Sequence, residues 1–480
     1  MQKRFYPGPI SNLRRSYTAF HSFDKAHTIA LLEADLITPE IARAILAGLR
    51  RMEGEGIEVI RDRMGGGRHS GEAFLTETIG AEYAGWINVG RSSGDLDAMS
   101  WRFNLRRRLP ALLMRLNDLR GGLLDVAGQH TTTIMPCYSI GQHAQCTSFG
   151  HMLLSWEAMF ARDAQRAMAL HGETGGSPTG SGIMTGSPFP ISRQRTAELL
   201  GFDTVQINTR DAVVNLDTLM HAHSVIAICI SNALSVANDL YLWTMTEFKY
   251  LELHDSYCST SSIMPQKKNS WALAWIRGQA SLAIGRLSGV FTLLKMESDG
   301  LEDTLMAPWQ LYEAMDEVED MLAMLHGMVT TMTVNVERLA SLAGHGWTQA
   351  ADIAAMIMVK GHIPWRDAHQ IVAHLVREFV DAGKSPEDLL PADIDRLAEQ
   401  LIGRPVSVTK EDIGNSIDPL QSLYNRGHVT GSPAPAQVAA QIDAARSRIA
   451  EDHDRGEANE AALAEAAKRL EEAVDAIIGA

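Results

Sequence analysis

Apolar residues recur every three or four positions along much of the chain, and that period predicts helices. Leu216, Leu219, His223, Ile226, Ile230 and Leu234 form one such stripe. No glycine occurs between Gly201 and Gly278. One long helix is therefore expected over most of 211–250, about 60 Å at 1.5 Å per residue. A helix that long needs partners along its length, so an all-α bundle extended by oligomerisation is expected. Thr38-Pro39-Glu40 predicts a helix start, with threonine as cap and proline in the first turn. Ile41, Ile45, Leu46 and Leu49 follow at helical spacing. Gly90 to Asp95 opens another helix through Trp101 to Arg108, and the pattern stays helical to about residue 345. Beyond it, Gly361 and Pro364 break one helix from the next, and Gly431 to Pro435 reads as a surface loop. Three parts are expected: a mixed helical domain over 1–93, a central long-helix bundle over 94–345 and a small helical domain over 346–480. The last helix is rich in Ala, Glu and Arg, and reads as solvated and prone to fray.

One stretch departs from this pattern. Residues 258–269 read Cys-Ser-Thr-Ser-Ser-Ile-Met-Pro-Gln-Lys-Lys-Asn, a polar loop between two helical runs. Ser259, Thr260, Ser261 and Ser262 supply hydroxyls and a row of backbone N–H groups, and Pro265 stiffens the turn. Lys267 and Asn269 add a charge and an amide donor. Such a loop can hold a carboxylate and stabilise negative charge developing beside it. It is equally consistent with an anion-binding loop that has no catalytic role. A second polar loop, Met64 to Gly71, lacks the Gly-Lys-Ser/Thr ending of a phosphate loop and is expected at a substrate entrance.

Charge narrows the partners. The formal net charge is −15, which argues against nucleic acid or an acidic membrane surface, but not against a small anion in a basic pocket. The four cysteines have no metal-type spacing, so a reduced, cytoplasmic setting is expected. No apolar run reads as transmembrane. His221 and His223 stand two apart, on different helix faces, and read as core or interface residues rather than metal ligands. No metal or cofactor is expected.

Ser261 to Asn269, Ser-Ser-Ile-Met-Pro-Gln-Lys-Lys-Asn, resembles the signature of the fumarase/aspartase superfamily, in the form of its argininosuccinate lyase branch. Other segments agree in order: Gly90 to Asp95, Met135 to Gln142, Gly180-Ser181-Gly182 and Asp367 to Val372. The resemblance implies a three-domain helical fold, a homotetramer and active sites assembled from three subunits. It implies anti elimination from a succinyl-type substrate with release of fumarate. By position, Ser261 is the base, and Lys267 and Asn269 hold the carboxylate and the dianion. Ser92, Ser93, Ser139, Gln142, Ser262, Met264 and Gln310 are the expected substrate-binding residues.

The sequence also departs from that branch. The histidine that assists the leaving group falls on Ile140, and its glutamate partner falls on Ala274. The Arg-Asn pair falls on Ser93-Gly94. The tyrosine and lysine that hold the arginine end of argininosuccinate fall on Leu305 and Glu313. Argininosuccinate is therefore not the expected substrate. Cleavage of a C–N bond is expected first and of a C–S bond second, because a thiol leaves as thiolate without an acid. An inactive structural or dicarboxylate-binding homologue is the alternative of another class.

Overall fold

The computed structural model describes residues 11–293 and 307–479. Leu305 lies outside them. The chain is built of helices, as the periodicity predicts. In the N-terminal part these are α1 (Tyr17–Glu33), α2 (Pro39–Glu55), α3 (Ile57–Arg63) and α4 (Ser70–Ile79). The start of α2 follows its sequence: Thr38 caps it by accepting from Ile41 N at 3.3 Å, with Pro39 in the first turn.

The centre is a bundle of long helices. It comprises α5 (Ser93–Gln129), α6 (Phe149–Glu173), α8 (Asp217–Trp243), α9 (Trp271–Leu293) and α10 (Ala307–Thr331). A short α7 (Arg193–Leu200) lies between α6 and α8. Trp101, Leu112, Phe149, Trp156, Ile226, Leu240, Leu273 and Leu322 share one buried core. The expected 211–250 helix is shorter, at 27 residues or about 40 Å. A short helix, Thr209–Val214, precedes it, capped by Asn208, and extended Asn215 separates the two. Asn208 accepts from Arg210 N and Asp211 N, and Asn215 donates to Asp211, while the Asn215 backbone is extended. Such local bonds compete with helix continuation.

The helical expectation also fails between α5 and α6. There β1 (Ile134–Ser139) and β2 (Gln142–Ser148) form an antiparallel hairpin. Ser139 pairs with Gln142, so Ile140-Gly141 is a two-residue turn with φ of 51° and 74°. Both values are positive, as the hairpin's twist demands. Glycine meets this freely, whereas a β-branched isoleucine does so under strain.

Past residue 346, α11 (Ala350–Gly361), α12 (Trp365–Asp381) and α13 (Pro391–Ile402) close a separate core that includes Ile353, Ile371, Leu375 and Leu397. The last helix, α14 (Pro435–Gly479), differs from the expectation of a frayed, solvated rod. Val438, Ile442 and Ala445 enter the central core, and Leu470 and Val474 enter the N-terminal core with Phe20 and Leu46. Its alanines allow this close packing, and Asp452 pins it through buried Arg120 at 2.7 Å. The stretch Thr209–Trp243 is apolar and long enough to cross a membrane by length and composition alone. Half of its most apolar window is buried inside the chain.

Candidate active site

The 258–269 loop is a small hairpin. β3 (Ser259–Thr260) pairs with β4 (Lys268–Asn269), Ser259 opposite Asn269 and Thr260 opposite Lys268. The tip is 261–267. Lys268 is an anchor: it pairs with Glu252 at 2.8 Å and Asp255 at 2.6 Å, and those bonds raise its pKa. Lys267 has no ion pair among the described residues and is exposed. Ser261 Oγ accepts from Ile263 N at 3.3 Å and Met264 N at 3.1 Å. Two N–H donors on one oxygen favour its ionised form.

The Ser92 turn is built differently. Ser92 caps α5, and Asp95 accepts from Ser92 N at 3.0 Å to complete a capping box. The other Asp95 oxygen accepts from Gly180 N and Gly182 N, each at 3.2 Å. One buried carboxylate therefore joins the Ser92 turn to the Gly180-Ser181-Gly182 loop. Burial pushes its pKa up to about 6, against the lowering effect of these N–H bonds and Arg91. A raised folded-state pKa means that protonation favours the fold. Stability from this group should be full below its ordinary value near 3.8 and fall as pH rises through about 6. Asp95→Asn should flatten that slope in denaturant midpoints measured from pH 4 to 7; an unchanged slope would assign it elsewhere.

Sequence reasoning missed what the 64–71 loop does. Gly65, Gly66 and Gly67 have φ of 88°, 72° and 90°, which other residues rarely adopt, and so the loop folds back. It sets His69 Nε2 3.2 Å from Ser93 Oγ and Arg68 Nε 2.6 Å from Asp97. Glu72 stands 3.8 Å from His69 Nδ1. The three glycines before a histidine were the signal available in the sequence.

The expected site residues do not meet within one chain. Ser92 and Ser93 lie at the start of α5, where Gly94 packs on Val213, just ahead of α8. Gln310 lies on the first turn of α10, and His223 of α8 bonds Ala307 O there at 2.9 Å. At the other end of α8, Ser270 donates to Thr244 at 3.1 Å, placing Ser261, Ser262, Met264, Lys267 and Asn269 nearby. Ser139 and Gln142 are also at that end, since Tyr138 bonds Tyr250 and Phe149 packs 6.1 Å from Trp243. Most of α8 lies between the two groups, about 30 Å from His223 to Thr244. Ile140, at the hairpin tip, is 99% exposed, and Ala274 is exposed on α9. No hydrogen bond or ion pair joins Ser139 or Gln142 to the Ser261 loop among the described residues.

Residues 11–285 match the Lyase family, and residues 347–423 match the argininosuccinate lyase C-terminal family. An argininosuccinate lyase of Methanoculleus marisnigri is 33% identical over 93% of this chain and 90% of its own. One of Methanococcoides burtonii is 34% identical over 89% and 86%. The chain belongs to the fumarase/aspartase superfamily, in its argininosuccinate lyase branch. Among solved structures, EDDS lyase superposes with a TM-score of 0.87 at 28% identity, over 97% of this chain and 93% of that one. A class II fumarase from Schistosoma mansoni, 13% identical with a TM-score of 0.71, shares the fold. As a member of the fumarase/aspartase superfamily, the chain is a lyase.

Proposed function

We propose that this lyase eliminates an amine from an N-succinyl compound and releases fumarate, at sites built from three chains of a homotetramer. The observation that carries the reading is Ser261 Oγ under two backbone N–H groups, with Lys267 exposed on the same loop and without an ion pair among the described residues. Ser261 removes the proton next to one carboxylate. The loop amides, Lys267 and Asn269 stabilise the dianion that results, and the leaving group departs from the neighbouring carbon. With the two groups about 30 Å or more apart along α8 in one chain, the reading takes the other residues from other subunits. Exposed Trp271, Leu282 and Phe291 on α9 and Leu242 on α8 supply an apolar face for that assembly.

An amine departs protonated, and Ile140 supplies no proton. His69, bonded to Ser93 and near Glu72, is the proton carrier at the Ser92 end; His143, bonded to Tyr138 at 3.2 Å, is the other histidine available. Argininosuccinate does not suit the pocket, because Ser93-Gly94 and the carboxylate of Glu313 stand where the branch binds it. Glu313 is only 3.9 Å from Arg286, whose main partner is Glu317. Exposed Ile140 favours a second reading, C–S cleavage, in which a thiolate leaves unaided. The test is fumarate release, by ultraviolet absorbance, across N-succinyl amines, S-succinyl thiols, argininosuccinate and EDDS. We expect turnover of an N-succinyl amine and none of argininosuccinate. Turnover of thiol adducts alone would select the second reading, and no turnover by an intact tetramer would remove both.

A further inference from the structure

A cavity of about 490 Å³ lies roughly 20 Å along α5 from the Ser92 turn. Its walls come from α5, the end of α6, the Gly201–Asp203 turn and the middle of α14. Its floor is a buried cation. Arg106 is 3% exposed; it donates to His171 O at 2.9 Å and to Asp203 at 2.9 Å, and its Nε has no partner among the described residues. His171 is 8% exposed, and its Nε2 likewise has no partner. Two more arginines of α14, Arg455 and Arg469, line the mouth. Arg455 has no ion pair among the described residues, and Arg469 reaches only Glu465, at 3.9 Å. Asp203, itself 60% exposed, is the one acidic residue of the lining.

Three guanidinium groups against one carboxylate is an unusual balance on a chain of net charge −15. Like charges gathered round a concavity repel one another unless an anion joins them. The guanidinium fork matches the two oxygens of a carboxylate or a phosphate. The remaining lining, Met168, Phe202, Leu463 and alanines of α14, is apolar and suits a short carbon body. Burial and then Arg106 push the His171 pKa down to about 4. The ring is therefore neutral at pH 7, and the positive charge of the cavity is that of its arginines.

We propose that this cavity binds a small organic anion, a carboxylate or a phosphate, that bridges α14 to α5 and α6. It is a site separate from the Ser261 loop and independent of the reading given above. Binding there ties the last helix to the helix that begins at Ser92–Ser93, so an occupant can bias the position of that turn. The test is calorimetric titration of the full-length protein with succinate and, separately, with inorganic phosphate. Saturable binding of at least one probe is expected, and it identifies the chemistry. An Arg455→Ala/Arg469→Ala double variant should weaken that binding at least tenfold; both side chains are exposed, so the fold is kept. Ala462→Trp keeps every arginine but sets a bulky ring at the exposed edge of the lining, and should weaken it as much. Lys267→Ala, which removes the cation assigned to the carboxylate at the catalytic loop, should leave it unchanged, and this separates it from binding there. Wild-type affinity in either cavity variant, or binding lost in Lys267→Ala, would overturn the proposal.

Discussion

Ser261→Ala is expected to lower kcat for fumarate release by about a thousandfold, the usual scale for removal of a positioned base. The side chain makes no packing contact that the fold depends on. It lies at an exposed hairpin tip, and among the described residues its oxygen accepts bonds from Ile263 N and Met264 N. Loss of the oxygen leaves those two N–H groups to water. The denaturant midpoint and the oligomeric state should therefore stay as in the wild type, and KM should change far less than kcat. That split matters, because a residue that merely bound the carboxylate would raise KM instead. Progress curves with the best N-succinyl substrate measure it. A variant retaining more than a tenth of wild-type kcat would remove Ser261 from the base role. Lys267→Ala should fall between the two cases, since it stabilises negative charge in both substrate and transition state.

The loop that carries this prediction was legible as a break between helices, because a run of small polar residues and Pro265 interrupts the apolar period. Helices were legible for a related reason. Their apolar stripes are local, and capping pairs such as Thr38-Pro39 and Ser92 with Asp95 mark the ends. What escaped the sequence was non-local. The hairpin at 134–148 has strands too short for alternation to stand out, and its turn puts an isoleucine at φ 51°, where glycine or asparagine is the usual signal. The last helix buries only scattered apolar positions among alanines. Its composition reads as solvated, although the partners that cover it are more than 300 residues away, as in the Arg120–Asp452 pair. His69 escaped because its partner Ser93 is 24 residues on, and only the folded loop shows that they meet.

The placement of the expected site residues at the two ends of α8 has a consequence for how faults spread. The Ser261 hairpin is held locally, by Lys268 and two carboxylates. The Ser92 turn is held by the N-terminal core, through residues with no chemistry of their own. Damage to that core should reach the site through position rather than through contact.

Asp24→Ala is the sharpest instance, with an expected loss of about 3–5 kcal/mol, the cost of leaving buried charge without its partner. Asp24 is 1% exposed on α1. One oxygen takes Arg61 of α3 at 2.7 Å, and the other takes Arg91 at 2.7 Å, one residue before Ser92. Burial alone would raise its pKa, but Arg91 and Arg61 outweigh it and hold the carboxyl below its ordinary 3.8. The neighbourhood leaves little room for a substitute pairing. Arg61 already donates to Ser70, Arg91 to Asn88, and a Cβ at Gly71 would meet the carboxylate at 2.6 Å. Removing the carboxylate strands two guanidinium groups in a core of Phe20, Phe23 and Leu75. The sign with pH follows from the depressed pKa: this contribution is full above about pH 4 and fades as acid protonates the folded state. The variant should therefore differ most from the wild type at neutral pH and least in acid. Denaturant midpoints across pH 3–7 measure this, and hydrogen exchange over α1 to α4 localises it. Because Arg91 positions Ser92 and Ser93, kcat/KM should drop as well, at a temperature where the variant is still folded. A midpoint at pH 7 within about 0.5 kcal/mol of the wild type, the range of ordinary surface substitutions, would show that water takes over the role of the carboxylate.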